Sequence, residues 1–406
     1  MKIKLFLVFL ILHLFVTGCW NRVELDRRAI VAGFGADKAE EEGKIQVTVQ
    51  VVDAGEIKAI PLARGGSMMN AVTVYTGTGF TAFDAFRNLS MVVGEKLFLS
   101  EVRVLVIGEE LAREGLDKVI DFYERDHEPN IRDYLIVVKG GEAKEVLETE
   151  LRINKIWAYG IDSMVKTTMA HSKAPATEII DFLKAVESKT TAPVATVIHV
   201  LRKGNEENAG EGKSNQDGTT AVQPKELKVS ETAVFRHYKL TGWLDEKESR
   251  GLLWVTGKVK SGIIVVSSPE KEDKLAAIEI IRAKSKIKPE ITDGNLIINI
   301  DVWEEGNLGE EQPDTMDVSK PIVLKELEEQ KKTVIEDEIS AAVIKAQELN
   351  ADIFGFGEAV RRKYPREWKQ LEDQWDEIFP TLEVNIAVDA KIRRTGKITK
   401  SAEPKP

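Results

Sequence analysis

Leu382-Glu-Val-Asn-Ile-Ala-Val-Asp-Ala-Lys-Ile392 alternates apolar and polar side chains, with Ala387 the one small exception. A period of two sends successive side chains to opposite faces of a strand, so this stretch predicts a long strand with one covered face. Ile45-Gln-Val-Thr-Val-Gln-Val51 and Leu296-Ile-Ile-Asn-Ile-Asp-Val302 read the same way. Such strands belong to antiparallel or mixed sheets, because all-parallel sheets are covered on both faces and read as unbroken apolar runs. Val102-Arg-Val-Leu-Val-Ile107 and Leu135-Ile-Val-Val138 come nearer to unbroken and predict central strands. The fold class expected is therefore multi-domain α+β, with mixed or antiparallel sheets each covered by helices.

Helical periods lie between the strands. Leu116, Val119, Ile120 and Tyr123 fall at i, i+3, i+4 and i+7, which predicts an amphipathic helix over about 110–125. A longer helix starts near Ser319 and Pro321, a usable cap and a proline tolerated in the first turn. Its stripe is Leu324, Leu327, Val334, Ile335, Ile339, Ala342, Ala346 and Leu349, interrupted by Lys331; Glu328 and Lys332 are spaced for an i, i+4 pair. The commonest role for such a stripe is to cover a sheet, ahead of pairing in a coiled coil.

Between Lys203 and Lys228 the chain turns polar and loses all apolar period, so it cannot bury enough surface to order itself. This is a flexible loop, either a link between domains or an excursion within a middle domain. Thr190–Leu201 before it and Leu227–Leu244 after it are strand-like. At 406 residues the chain suggests two or three domains. Its 57 Lys and Arg against 67 Asp and Glu give a net charge of −10, the opposite of a chain built to neutralise phosphates, so no nucleic-acid partner is expected. A single cysteine excludes a disulfide framework and a Cys-rich metal centre.

The amino terminus is an export signal. Lys2 and Lys4 precede the twelve-residue apolar run Leu5–Val16, broken only by His13. That run is too short to span about 30 Å of hydrocarbon but is the right size for a cleavable signal core. Val16-Thr-Gly-Cys19 follows and looks like a bacterial lipobox. Small residues fit a peptidase cleft, and a thiol can be alkylated to a thioether by a lipid donor. Removal of residues 1–18 leaves Cys19 first, carrying an S-diacylglyceryl group, and whether its amino group is also acylated stays open. Two acyl chains anchor stably at about 0.8 kcal/mol per buried methylene. Loss of Lys2 and Lys4 takes the net charge from −10 to −12, so lipid and not headgroup attraction would hold the body at a membrane.

Chemical motifs are sparse. Gly77-Thr-Gly-Phe-Thr-Ala82 follows a strand-like run and precedes a helix-like one, as in a dinucleotide site, with Glu109 as a conceivable ribose ligand. A tight strand-to-helix turn accounts for both glycines without a ligand, so no cofactor is expected. The histidines at 13, 127, 171, 199 and 237 include no helix-spaced pair, and no metal site is expected. His127, between Asp126 and Glu128, reads as a charged helix end, and the acidic clusters at 40–42 and 304–311 read as solvated surface turns. No nucleophile elbow or Walker loop occurs, and no catalytic residue is assigned. Aromatic and glycine residues gather in Thr241–Trp254 and in Asp352-Ile-Phe-Gly-Phe-Gly-Glu-Ala-Val360, which runs on to Trp368 and Trp375. Both segments read as buried anchors, with a partner-binding surface as the functional alternative.

Cys19-Trp-Asn-Arg-Val-Glu-Leu-Asp-Arg-Arg-Ala-Ile-Val-Ala-Gly-Phe-Gly-Ala-Asp-Lys38 resembles the mature start of the Ger(x)C family, the C-subunit lipoproteins of nutrient germinant receptors in endospore-forming bacteria. The resemblance continues through Phe83–Ser90, Leu97–Val102, Gly242–Trp254, Lys260–Val266, Asp352–Glu358, Lys363-Tyr-Pro365 and Lys391–Gly396, in order. It implies a three-domain α+β protein on the outer face of the spore's inner membrane, beside two integral membrane subunits of which one is permease-like. It carries over no catalytic residue, and Cys19 is the only position with a defined role.

The expected organisation is a signal peptide over 1–18, an N-terminal α+β domain over 19–170, and a β-rich middle domain over 171–268 containing the loop 203–228. A C-terminal α+β domain over 269–398 carries the long helix at about 320–350. The expected function is a non-enzymatic, lipid-anchored receptor subunit required for nutrient-triggered germination. The alternative is a solute-binding lipoprotein of a membrane transporter.

Overall fold

A computed structural model describes residues 28–53, 71–202, 225–269, 271, 273–312 and 318–395. Cys19 and the lipobox and signal peptide expected around it lie outside the described residues, as does most of the polar loop, residues 203–224.

Two sheets organise the chain. The first is built from β1 (Arg28–Lys38), β2 (Ile45–Val52), β3 (Val72–Gly79), β4 (Lys96–Phe98), β5 (Val104–Ile107), β6 (Tyr134–Val138), β7 (Val194–Arg202), β8 (Lys225–Arg236) and β9 (Lys239–Leu244). Its order is β3-β2-β1-β5-β6-β7-β8-β9, with β4 alongside β1. The centre, β1-β5-β6-β7, is parallel. Antiparallel hairpins close both flanks. Val104–Ile107 and Leu135–Val138 occupy that centre and are wholly buried, as their unbroken apolar character requires.

Helices cover both faces of this sheet. On one side lie α1 (Ala82–Val93), α2 (Glu109–Glu114), α3 (Asp117–Arg125) and, further along, α6 (Ile179–Glu187). On the other lie α4 (Ala143–Leu147) and α5 (Trp157–His171). The single helix expected over 110–125 is two, because Gly115 at φ +135° breaks it where a side chain would be strained. Leu116, Val119, Ile120 and Tyr123 are buried as the spacing implies. The one-faced reading of β2 is corrected. Thr48 and Gln50, two of its three polar positions, are fully buried, and the Gln50 amide donates to the Leu147 carbonyl of α4 and accepts from the Ala158 N–H of α5. Hydrogen bonds make that polar face buriable.

The second sheet contains β10 (Ile263–Ser267), β11 (Leu275–Thr292), β12 (Asn295–Glu311) and β13 (Glu383–Arg394), in that order. β11 and β12 form a long hairpin whose turn, Asp293-Gly294, has both residues at positive φ, the conformation that matches strand twist in a two-residue turn. β13 joins β12 in parallel after a helical crossover. Val384, Ile386, Val388, Ala390 and Ile392 face the core, and Glu383, Asn385, Ala387, Asp389 and Lys391 face out, as the alternation predicts. The acidic run at 304–311 is corrected: it belongs to β12, and Glu304 is buried.

Over this sheet lie α7 (Glu246–Val255), α8 (Pro321–Glu348), α9 (Phe356–Lys363), α10 (Pro365–Leu371) and α11 (Trp375–Ile378). α8 occupies the range expected and covers the sheet, but its N-cap position is Lys320, without a side-chain cap bond, and not Ser319. Lys331 is fully buried on its stripe. The expected Glu328–Lys332 pair does not form; Glu328 faces Lys391 and accepts the Ile392 N–H, and Lys332 faces Glu329. The first sheet runs without a break across position 170, since β7, β8 and β9 of the expected middle domain extend it, whereas β10 joins the second sheet. Of the loop expected over 203–228, residues 225–228 are the start of β8.

Candidate functional site at the junction of the two sheets

The two aromatic- and glycine-rich segments contribute to the same core as α8. α7 begins with a capping box: Asp245 accepts the Glu248 N–H, and the Glu248 carboxylate accepts the Asp245 N–H. Its Gly251 faces α8 so closely that a Cβ would lie 2.0 Å from the Glu338 carbonyl oxygen. Beside this contact the buried Glu338 carboxylate takes a fork from Arg250 and accepts the indole N–H of Trp254 at 2.8 Å. Trp254 is itself buried, so this segment is an anchor between helices. The spacing of the α8 stripe gave no hint of Glu338, because an acid on a buried face is unreadable until its partners are known.

Asp352 opens the second segment. Its carboxylate accepts N–H groups from Phe354 at 3.3 Å, Phe356 at 3.0 Å and Gly357 at 2.8 Å, which closes the turn into α9. Burial outweighs these bonds and pushes its pKa up to about 6. Phe354 and Phe356 stack at 4.9 Å, and Trp368 meets Trp375 edge-on at 5.2 Å.

The glycines of Ile353-Phe-Gly-Phe-Gly357 receive residues 190–192, the stretch that leads into β7. Gly355 sits at φ +74° with a would-be Cβ 3.3 Å from the Thr191 hydroxyl, and a Cβ on Gly357 would stand 2.7 Å from that of Thr190. The Ala192 N–H donates to the Asp352 carbonyl at 2.9 Å. Arg236 pairs with Asp376, and Lys189 lies 3.0 Å from Glu372. This region is one of the places where the first sheet is fastened to the second.

A cleft of about 590 Å³ opens beside the junction, lined among others by Asp181, Lys184, Thr256, Lys258, Phe354 and Glu358. Its walls come from α6, the end of α7 and the start of α9, and mix both charges with an apolar floor. Clefts of this size between packed bodies are where ligands and partner segments dock. Among the described residues, no three His, Cys, Asp or Glu converge as metal ligands. Nor is any helix among them long and apolar enough to cross a membrane.

The remaining motif residues lie elsewhere. Gly77 and Gly79 pack against α1: a Cβ on Gly79 would be 2.3 Å from the Ala85 nitrogen, and on Gly77 2.8 Å from Leu89. Thr81 caps α1 by accepting the Asp84 N–H. Glu109 is committed to Arg113 and the Gly140 N–H. His127 is 92% exposed beside Asp126. His199 lies 3.6 Å from Glu231, and burial lowers its pKa.

A family model described as "Spore germination protein N-terminal domain" matches residues 21–200, and one described as "Spore germination B3/ GerAC like, C-terminal" matches 230–396. Spore germination protein KC of Bacillus subtilis (strain 168) is 27% identical over 398 residues, covering 97% of this chain and 96% of the relative. Spore germination protein B3 of the same strain is 23% identical, covering 97% and 98%. Spore germination protein GerQC of Bacillus cereus is 22% identical, covering 97% and 99%. A crystal structure of the GerBC protein superposes with a TM-score of 0.52 at 19% identity, over 89% of this chain and 96% of that one, and so shares the fold. Matched in sequence order through both of its sheets, the chain belongs to the Ger(x)C family of spore germination proteins.

Proposed function

We propose that this chain is the C-type subunit of a nutrient germinant receptor, held by a diacylglyceryl thioether at Cys19 and acting through protein contacts, without catalysis of its own. The observation that carries this reading is the end-to-end match with spore germination proteins, 96% or more of each relative named above. Val16-Thr-Gly-Cys19 after a short apolar run supplies the anchor. The location is the outer face of the inner spore membrane, and the partners are two integral membrane subunits, one of them permease-like. A body in which two sheets are fastened through buried side chains suits a part that transmits or scaffolds contacts. The solute-binding alternative is not favoured, because the central parallel strands belong to one mixed sheet and not to a pair of parallel lobes.

Deletion of the gene, with germination scored separately on different nutrients, tests the role. A defect confined to one class of nutrient is expected, and unchanged germination on all of them would overturn it. Cys19→Ala is expected to shift the protein from the membrane fraction to the soluble one and to weaken the nutrient response. Retention of that variant in the membrane fraction would remove the anchor from the account.

A further inference from the structure

The start of β1 is the part of the described body nearest to Cys19 along the chain. Nine residue steps separate Cys19 from Arg28, which fully extended span at most about 30 Å. β4 runs parallel to β1 with Lys96 beside Arg28 and Phe98 beside Ile30. α1 ends at Val93, and its cap Gly94, at φ +75°, turns the chain into β4. The last turn of α1 therefore stands at the same end of the sheet as Arg28.

That turn is bare and apolar. Met91 is 77% exposed and Val92 67% exposed, among the highest values for large apolar side chains in the described chain. Further back on the same helix ridge Phe83 is less exposed, at 43%, and has aromatic and cationic neighbours. Phe83 packs 5.7 Å from Phe122, and the Arg87 guanidinium lies over the Phe83 ring. Nearby cations have local partners: Lys96 binds Glu128 at 2.9 Å, and Arg28 lies over the Phe98 ring. An apolar tip whose neighbouring cations are already engaged suits shallow insertion into hydrocarbon better than attraction to headgroups.

We infer that the end of α1, with Met91 and Val92 leading, rests in the surface of the lipid bilayer and fixes how the anchored body is oriented. This rests on the lipid anchor at Cys19 proposed above, since the short tether is what brings this end to the membrane.

Cys19 is the chain's only cysteine, so a lipidated chain offers no free thiol and an introduced cysteine is labelled alone. The full-length lipidated protein would be placed in phosphatidylglycerol–phosphatidylethanolamine vesicles as Met91→Cys or, for comparison, Val265→Cys, an exposed position on the second sheet. Each would carry an environment-sensitive fluorophore, with nitroxide lipids as shallow quenchers. The expected result is at least twofold stronger quenching and a blue-shifted emission at 91 relative to 265. A second variant, Val92→Asp in the Met91→Cys background, is expected to stay anchored and to lose that difference. Equal quenching at 91 and 265 in anchored protein would overturn the inference while leaving the anchor intact. Labelling of the unsubstituted chain at Cys19, with release of protein from the vesicles, would overturn the anchor and this inference with it.

Discussion

Lys331 Nζ lies 2.6 Å from Glu304 Oε2, and neither side chain has any exposed surface. The ammonium also donates to the Lys391 carbonyl at 2.8 Å, so one side chain of α8 reaches both β12 and β13. Burial pushes the carboxyl up and the ammonium down, each opposing the attraction of the pair. A buried pair of this kind adds little net stability, but loss of one member strands the other.

Lys331→Met is therefore expected to cost about 3–5 kcal/mol, and the double change Lys331→Met/Glu304→Met to recover most of it. Urea midpoints at constant m-value measure both. Equal losses in the single and double variants would show that the two groups are not coupled.

Three buried carboxyls predict a pH dependence. Burial raises Asp37 to about 6, Asp133 to about 7 and Asp352 to about 6. Each folded-state value lies above the unfolded one, so the contribution is fully present below about 4 and is lost as pH rises through 6 to 7. Glu246 works the other way: Lys228 and Lys173 hold it down at about 2, so its contribution is present above its ordinary value and fades only toward pH 2. Denaturant unfolding is expected to give lower stability at pH 8 than at pH 5, by a few kcal/mol. Identical midpoints at the two pH values would contradict this, and Asp133→Asn is expected to shrink the difference.

Gly251→Ala is expected to destabilise by about 2 kcal/mol or more, because its new methyl meets the Glu338 backbone and pushes α7 off α8. Gly309→Ala is the control. There the nearest atom is 3.6 Å from the new Cβ, and a change under about 0.5 kcal/mol is expected. Thermal melts of the two variants check the contrast, which would fail if both moved alike.

At the junction, the burial of Asp352 and the exposure of the Arg236–Asp376 pair predict unequal costs. Asp352→Ala strands three N–H donors and is expected to lose about 2–4 kcal/mol. Arg236→Ala removes an exposed pair and is expected to lose no more than about 1 kcal/mol. Calorimetry that ranks them in the reverse order would relocate the fastening between the sheets.

The periodic elements were legible because burial of one face is written directly into side-chain spacing. β13, β2, the central strands β5 and β6, and the α8 stripe all followed from it. Where the reading failed, a polar residue was buried. Gln50 and Thr48 look like a solvated face until the Leu147 carbonyl and the Ala158 N–H are seen to satisfy the amide. Lys331 reads as an interruption until Glu304 stands opposite. Gly115 sits unremarked inside a helical period and yet breaks it, since spacing says nothing of φ. Of the candidate site, the two aromatic segments were visible, but Glu338 and Thr190–Thr191, which tie them to the rest, were not.

By itself the sequence determined the apolar run ahead of Cys19, the net negative charge, the α+β class and, through ordered motifs, the family. These are properties of neighbours in the chain. Only the tertiary structure decided that β7, β8 and β9 extend the first sheet, that Asp352 and residues 190–192 share one junction, and that Lys96, just after α1, pairs with Arg28 at the start of β1. Such relations join residues far apart in sequence, and they arise from packing and hydrogen-bond satisfaction across elements, which local periodicity does not encode.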